Sequence, residues 1–351
     1  MEKSVRNSGH ELLRIAAMYM IIFIHANMYL GMFCTGRTQI FFNGFVNGIC
    51  NIGVSCFILI SGYYGIRFNL QKLVKMECMM ITYSILETVI LYIALPRQMQ
   101  GAALLEQMVK AMLPFITRKY WFYSCYLCLF FLSGYIQKFI DILSKKEFRK
   151  LLLLLVFLFS VLPTLFYFEL IPNNGKGLVQ MIMIYMIGRY IRMYGDRSVF
   201  GLIEKKTKFV LFIALWSING VSHEFPVQVG GVYHHLCKDN SITNLVMAII
   251  LFYLFKELTI HSKFINKISA YIFAVFALEN SLVIVTMKIL QEQRVETSGG
   301  MGGFLILSGI VFGILLICLL TGFFRELIFK RIDLKVGRIA QYFLDKANAR
   351  V

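Results

Sequence analysis

Charged residues are scarce in this sequence. Asp, Glu, Lys and Arg make up only 16% of its 351 residues, and 58% are hydrophobic, whereas soluble domains average about 25% charged and about 45–50% apolar residues. Proline is also scarce, with five residues, and no Gly-rich or Pro-rich low-complexity stretch occurs. A chain this apolar cannot hide its surface in a single core of this size. The composition therefore excludes a disordered protein, argues against a soluble enzyme and indicates an integral membrane protein.

Long apolar runs fill almost the whole chain. Each is about 20 residues long, the length that crosses ~30 Å of hydrocarbon as an α-helix. Runs such as 151–155 and 314–320 are continuously apolar, whereas a membrane β-barrel needs alternating residues. We therefore predict an all-α integral membrane protein, a bundle of about ten transmembrane helices in a single membrane domain over residues 1–351. The predicted helices are 12–32, 44–64, 77–96, 119–141, 150–168, 177–194, 207–225, 240–257, 268–290 and 303–325.

Basic charge is unevenly distributed between the predicted loops. The chain carries 36 Lys and Arg against 19 Asp and Glu, a net charge of +17. If the N-terminus is cytoplasmic, 27 of the 36 basic residues fall on the cytoplasmic side. The positive-inside rule then places both termini in the cytoplasm. We expect a multi-pass cell-membrane protein whose basic loops attract anionic membrane lipid. Because the charge is spread over six segments, nucleic-acid binding is not expected.

The eight cysteines form no pattern typical of a metal site. Cys125 and Cys128 have the C-x-x-C spacing, but they fall in an apolar helix and no second pair accompanies them. Buried cysteine in such a helix behaves as a small hydrophobic residue, so we predict no bound metal. Cys34 and Cys237 fall in predicted outer loops. If that side of the membrane is oxidising, a disulfide between them is one alternative.

Two ionisable residues of the first predicted helix share one face. His25 lies deep in the apolar run and Arg14 lies at its cytoplasmic end, 11 residues away. Successive residues of an α-helix are rotated by ~100° about its axis, so residues 11 positions apart point within ~20° of the same direction. They are separated by ~16 Å along the axis. Ionisable groups inside a membrane are costly and usually functional. The alternative is an Arg that reaches lipid phosphate and a His that hydrogen bonds between helices.

Two carboxylates also fall within predicted helices, Glu87 in the third and Glu279 in the ninth. Either could orient His25 and fix one tautomer, as an acid partner does in hydrolases. Either could instead pair with a cation such as Arg189 for structure. We favour the structural role for Glu87 and leave both roles open for Glu279.

Polar residues follow one another along the second predicted helix. Asn43, Asn47, Asn51 and Ser55 recur at i+4 steps and form a stripe on its outer half. Hydrogen bonding between helices explains such a stripe; a polar wall that holds a hydroxylated acceptor is the functional alternative. Basic residues follow at 67–75 and either bind a phosphorylated donor or obey the positive-inside rule.

Four segments together resemble the membrane-bound acyltransferase-3 family. Arg14 and His25 fit that family's R-x10-H pattern, and a Phe-rich segment ending in Ser-Gly-Tyr, a Trp-Phe segment and a Gly-Arg segment follow in the family's order. The segments are ELLRIAAMYMIIFIHA (11–26), NIGVSCFILISGYYG (51–65), KYWFYSCYLCLFFLSGYI (119–136) and IYMIGRYIR (184–192).

The chain departs from the family at one position. Many relatives carry a second histidine in the ninth span, whereas YIFAVFALEN (271–280) has Glu279 there. A mechanism that needs two histidines is therefore in doubt, and Glu279 becomes a candidate catalytic partner of His25.

The resemblance implies O-acylation of an extracytoplasmic glycan by cytoplasmic acyl-CoA, most often acetyl-CoA, at a bacterial inner or plasma membrane. The CoA phosphates would bind Arg14, Arg67, Lys72 and Lys75, since charge-assisted contacts to phosphate are strong. The ~16 Å from Arg14 to His25 suits an extended pantetheine arm. His25 would meet the thioester as general base or as transient acyl carrier, and the sequence does not choose between these roles.

The acceptor would be a surface glycan or a lipid-linked sugar. Tyr63, Trp121 and the stripe residues Asn47 and Asn51 are the candidates for holding it. Two alternatives stay open at this point. One is a transporter or flippase for a lipid-linked sugar, which would need a polar path through several helices. The other is a structural or sensory membrane protein that catalyses no reaction, in which Arg14 and His25 would be dispensable for function.

Overall fold

The computed structural model describes residues 7–97, 99–293 and 300–348, and most of these residues are α-helical. The α-helices are, in chain order, α1 (Ser8–Ala26), α2 (Gly36–Cys50), α3 (Gly53–Tyr64), α4 (Leu70–Ala94), α5 (Gly101–Met112), α6 (Trp121–Ile142), α7 (Lys145–Val156), α8 (Leu162–Leu165), α9 (Leu178–Tyr194), α10 (Val199–Leu202), α11 (Lys205–Glu224), α12 (Ile242–Lys256), α13 (Lys263–Ile268), α14 (Ile272–Glu292) and α15 (Gly300–Asn348). A 3-10 helix at Asn27–Met32 continues α1, and a π-helix at Phe157–Val161 joins α7 to α8.

A short hairpin follows α11. Its strands β1 (Val227–Val229) and β2 (Val232–His234) pair antiparallel. The all-helical prediction lacks this hairpin because three-residue strands are too short to produce an alternating pattern. Gly230 and Gly231 form the turn with positive φ, a conformation that glycine adopts at little cost.

Six helical stretches in the described part of the chain are long and apolar enough to cross a membrane. They are Ser8–Met32, Gly36–Tyr64, Leu70–Ala94, Lys145–Leu165, Lys263–Glu292 and Gly300–Ala347. The apolar helix Ile242–Lys256 is shorter. The protein is therefore an all-α, multi-pass membrane protein, as the sequence predicts. The ten spans and the cytoplasmic position of both termini stay predictions.

The second predicted helix, 44–64, differs from the structure. Helix begins earlier, at Gly36, and α2 and α3 are separated at Asn51 and Ile52. The amides of Asn47 and Asn51 donate to the carbonyl oxygens four residues earlier, at 2.9 and 3.0 Å. Such back-bonding bends helices, and it accounts for the break after the asparagine stripe.

The last helix is much longer than the predicted 303–325. α15 continues to Asn348, because residues beyond 325 include many good helix formers and no proline. Its continuation packs beside α4, where Lys75 pairs with Glu326 at 3.0 Å. A search for long apolar runs detects only the apolar part of this helix, and the helix continues beyond it.

Helix α1 lies in the centre of the bundle and packs against α2, α3, α12, α14 and α15. Leu13, Ala17, Ile22 and Ala26 on this helix are completely buried. α1 therefore supplies a rigid central element on which Arg14 and His25 are both carried.

Glycines let neighbouring helices meet at backbone distance. A Cβ on Gly62 of α3 would lie 2.2 Å from the Tyr185 carbonyl oxygen of α9, and a Cβ on Gly188 would lie 2.5 Å from that of Leu59. Small residues allow the same close approach in other membrane helix pairs. These contacts fix α9 and its basic C-terminal turn beside α3.

The eight cysteines are free. The Cys34 thiol contacts the Gly300 carbonyl oxygen at 3.3 Å, and the Cys237 thiol contacts that of Asn219 at 3.1 Å. The Cys34–Cys237 disulfide that the sequence leaves open is therefore not formed, because the two thiols are buried against different backbone partners.

Candidate active site

His25 and Glu279 meet between α1 and α14. The Nδ1 atom of His25 lies 2.8 Å from the Glu279 carboxylate. An ionised carboxylate only accepts hydrogen bonds, so with Glu279 ionised Nδ1 carries the proton and donates it. The same tautomer leaves the lone pair on Nε2, so this nitrogen can accept a proton or attack an electrophile.

The two partners differ in exposure. The Glu279 side chain is 5% exposed and that of His25 is 39% exposed. The carboxylate is thus enclosed and orients the ring, while the imidazole reaches open space. This division of roles is the one by which a buried acid holds a catalytic histidine in serine hydrolases.

Arg14 lies on the same helix as His25, toward its N-terminus. We call these two regions of the bundle the Arg14 end and the His25 end. Arg14 pairs with Glu11 at 3.0 Å, and the Glu11 side chain is buried. The continuous helix between residues 8 and 26 keeps the predicted separation of ~16 Å. Arg14 and His25 therefore occupy separate regions, and Arg14 does not touch the His25–Glu279 pair.

A second group of cations lies at the Arg14 end, around Tyr63. Arg192 of α9 donates to the Tyr63 hydroxyl at 3.1 Å and covers its ring at 5.1 Å. Lys256 of α12 lies 5.9 Å from the same ring and pairs with the exposed Asp196 at 2.5 Å. His10 packs 5.2 Å from it and is buried, and its Nε2 has no hydrogen-bond partner among the described residues. This region combines aromatic rings, cations and an unused polar atom.

The predicted donor residues after α3 are divided. Lys75 is paired with Glu326, whereas Arg67 and Lys72 are exposed. Sequence reasoning missed Arg192 and Lys256, since both counted only as basic loop charge. The Gly-Arg segment at 184–192 carried a signal for Arg192.

Tyr63, predicted for the acceptor, lies at the Arg14 end with the cations just described. Asn47 is 16 residues earlier, roughly 24 Å away along a helical path. The structure therefore does not bring Tyr63 together with the asparagine stripe.

The asparagine stripe belongs to a polar network at the His25 end. Asn27, two residues after His25, donates to Asn43 at 2.7 Å, and Asn43 donates to Glu224 of α11 at 2.7 Å. Asn47 also donates to Asn43, at 3.0 Å. Asn27 is 8% exposed, and its Oδ1 has no hydrogen-bond partner among the described residues. The network thus leaves a buried acceptor atom close to His25 in the chain.

Two imidazoles extend this network. His223 contacts Glu224 at 2.9 Å, and its ring lies 5.1 Å from that of His235, which precedes α12. Burial lowers the pKa of His235 to about 4, and the charges of His223 and Lys238 act in the same direction. Among the described residues no group of three or more His, Cys, Asp or Glu is arranged to hold a metal ion.

Glu87 has a structural partner, but it is Lys119 rather than Arg189. Lys119 pairs with Glu87 at 2.8 Å, and the Tyr120 hydroxyl donates to the same carboxylate. Arg189 instead faces the carbonyl oxygens of Gly62 and Tyr63 at 3.5 Å, at the end of α3.

Trp121 begins α6 directly after Tyr120 and is half-buried. Its neighbour Phe122 packs 5.3 Å from Phe276, which lies one turn before Glu279 on α14. The Trp-Phe segment therefore packs against the helix that carries the acid partner of His25.

Comparison with known proteins defines the class. The acyltransferase-3 family model, described as an acyltransferase domain, matches residues 7–323. The chain therefore belongs to this family of membrane acyltransferases, as the ordered motifs predict. No curated protein and no solved structure matches the chain.

Proposed function

We propose that this protein transfers an acetyl group from cytoplasmic acetyl-CoA to a hydroxyl of an extracytoplasmic glycan. The observation that carries the proposal is the His25–Glu279 pair, which leaves Nε2 of a partly exposed imidazole free. A histidine held in this way serves acyl transfer in other enzymes, and the family membership supports the same reaction class.

His25 acts on the acceptor hydroxyl. As general base, its Nε2 removes the hydroxyl proton while the oxygen attacks the thioester carbonyl carbon. The new C–O bond forms, the C–S bond breaks, and the imidazolium returns the proton to the CoA sulfur. Glu279 stabilises the imidazolium in between. As acyl carrier, Nε2 would itself attack the thioester and pass the acetyl group on in a second step. Rapid quenching distinguishes the routes, since only the second leaves acetyl on the protein.

The donor phosphates bind at the Arg14 end. Arg14, Arg192 and Lys256 supply cations there, with Arg67 and Lys72 at the adjoining surface. Desolvated contacts between Arg and phosphate are strong and directional. The ~16 Å that separates Arg14 from His25 lets the pantetheine arm run along α1 to the reacting carbon.

The acceptor hydroxyls bind at the His25 end. Hydrogen-bond donors and acceptors for these hydroxyls are available there, because the side chains of Asn27, Asn43 and Glu224 are hydrogen bonded in a row. The unpaired Oδ1 of Asn27 is suited to accept from a sugar hydroxyl, because an unsatisfied buried polar atom is costly. Asn47, Asn51 and Trp121 contribute to the surrounding wall.

The test is acetyl transfer by purified protein in nanodiscs. Radiolabelled acetyl-CoA is supplied together with glycan isolated from the envelope of the cells that carry the protein. Labelled glycan and free CoA thiol are then measured. We expect His25→Ala to lose at least ~100-fold in rate, the usual contribution of a general base. The exposed His261→Ala is the control. An active His25→Ala variant would overturn the proposal; sugar movement across vesicles without acetyl transfer would favour a transporter.

A further inference from the structure

A long groove lies between α2 and α11, on the outside of the bundle. The helices run antiparallel and touch at Gly44 and Gly220, where a Cβ on Gly44 would lie 2.9 Å from the Gly220 carbonyl oxygen. Trp216 donates to the Phe45 carbonyl oxygen at 2.8 Å and so joins the helices. The groove has a volume of about 540 Å³, within the ~300–1,000 Å³ of small-molecule sites.

The walls of the groove are apolar and face outward. Ile40 and Phe41 of α2 and Val221 and Phe225 around the end of α11 line it. All four side chains are at least half exposed. The predicted spans 44–64 and 207–225 place this surface against hydrocarbon, so the groove suits an apolar chain.

A cation stands at the His25 end of the groove. Arg37 lines it, is exposed, and makes no ion pair among the described residues. Arg37 is also in the first turn of α2, where Thr35 makes no side-chain cap, so backbone N–H groups and the helix dipole add positive potential. The combination is complementary to a phosphate.

The groove adjoins the polar network of the active site. Glu224 lines the groove and at the same time accepts from Asn43 at 2.7 Å. Asn43 in turn bonds Asn27, two residues after His25. Hydrogen-bonding groups therefore lead from the groove toward the reacting imidazole.

We propose that the groove holds the apolar chain of a lipid-linked acceptor, a glycan joined through phosphate to a polyprenyl chain. This inference rests on the proposed acyl transfer and names its acceptor class. The phosphate binds Arg37, the chain lies along Phe41 and Val221, and the sugar turns inward over Glu224 and Asn43 to His25. The proposed function places the acetyl-CoA phosphates at the Arg14 end, so the groove is left for the acceptor.

The closing experiment measures binding without any donor. A benzophenone-bearing polyprenyl phosphate is cross-linked to the protein in nanodiscs, and the labelled peptides are identified. We expect labelling on α2 and α11, competed by unlabelled polyprenyl phosphate. Arg37→Gln removes the charge, so the affinity for unlabelled polyprenyl phosphate should fall about tenfold, the effect of one lost charge-assisted contact. Val221→Trp fills the groove, so it should reduce the labelling of α2 and α11. Ile40→Trp provides a second groove-filling variant.

Matched controls lie elsewhere on the surface. Val210→Trp changes an equally exposed valine of α11 outside the groove, and Arg97→Gln removes another exposed arginine. Labelling that Val221→Trp and Ile40→Trp leave unchanged, or that phosphatidylglycerol competes equally well, would overturn the proposal and indicate ordinary membrane lipid. Transfer to a soluble glycoside separates the two hypotheses. If wild type binds the polyprenyl phosphate but never transfers acetyl, only the proposed function fails; if transfer occurs without groove labelling, only the groove fails.

Discussion

His25 and Glu279 are 254 residues apart in the chain and share one hydrogen bond of 2.8 Å. Helix α1 supplies the imidazole and α14 supplies the carboxylate, so the pair exists only when these two helices pack together.

Replacing Glu279 by Gln should therefore slow acetyl transfer without unfolding the protein. The amide can accept from Nδ1–H but cannot stabilise an imidazolium, so we expect a loss of about 10²–10⁴-fold in kcat. Glu279→Asp should recover part of the rate. Steady-state rates over a range of pH measure this, with Glu292→Gln, an exposed residue of the same helix, as control. Equal rates in wild type and Glu279→Gln would remove the carboxylate from the chemistry.

Arg192→Gln should weaken donor binding more than it slows transfer. Arg192 lies against Tyr63 at the Arg14 end, far from the reacting carbon, so KM for acetyl-CoA should rise about tenfold with little change in kcat. Dephospho-acetyl-CoA lacks the 3′-phosphate of the ribose. If Arg192 contacts that phosphate, Arg192→Gln should not raise the KM for this analogue. The exposed Arg197→Gln is the control. A fall in kcat at constant KM would instead assign Arg192 to the active site.

Breaking the Lys119–Glu87 pair should destabilise the fold. Both side chains are about nine-tenths buried, and removal of one partner leaves an uncompensated charge, which costs about 3–5 kcal/mol. We expect Lys119→Met to lower the melting temperature of detergent-solubilised protein, and the double variant Lys119→Met with Glu87→Leu to restore much of it. Lys110→Met, at an exposed i,i+4 pair, should have little effect. An unchanged melting temperature in Lys119→Met would show that the pair is not structural.

Acidification should loosen the loop before α12. The pKa of His235 is lowered to about 4 in the folded chain, against about 6.5 when unfolded. Between these values the unfolded chain binds more protons, so the free energy of unfolding falls as pH falls from about 6.5 to about 4. Melting temperatures across this range should decline less in His235→Gln than in wild type. His261→Gln should follow wild type; an identical decline in His235→Gln would contradict the prediction.

The sequence predicts the local part of the site well and the long-range part poorly. Arg14 and His25 lie on one helix, so their spacing alone gives their separation. The sequence predicts Glu279 as a candidate, but only packing of α14 on α1 selects His25 over Arg189 as its partner. The hydrogen bonds from Asn27 through Asn43 to Glu224 join three separate elements. Helical periodicity in the sequence cannot predict contacts between such elements.

The fold follows the same division. Apolar length predicts helices, but the break at Asn51 depends on side chains that bond back to the backbone. The far end of α15 is polar enough to escape an apolar-length search. The cations around Tyr63 come from α9, which the glycine contacts of Gly62 and Gly188 bring beside α3, and from α12, which packs on the same helix.

The length of α15 has a consequence for what can be attached to this protein. Forty-nine helical residues extend ~74 Å, and a membrane core takes up only ~30 Å of that. Gly337 still faces the start of α4, because a Cβ on Gly337 would lie 3.6 Å from the Gln71 Cα. The helix therefore extends past α4 only over residues 338–348, roughly 17 Å. A fluorophore or affinity tag at residue 348 would report on this free end, and its distance from a labelled lipid would measure the tilt of α15.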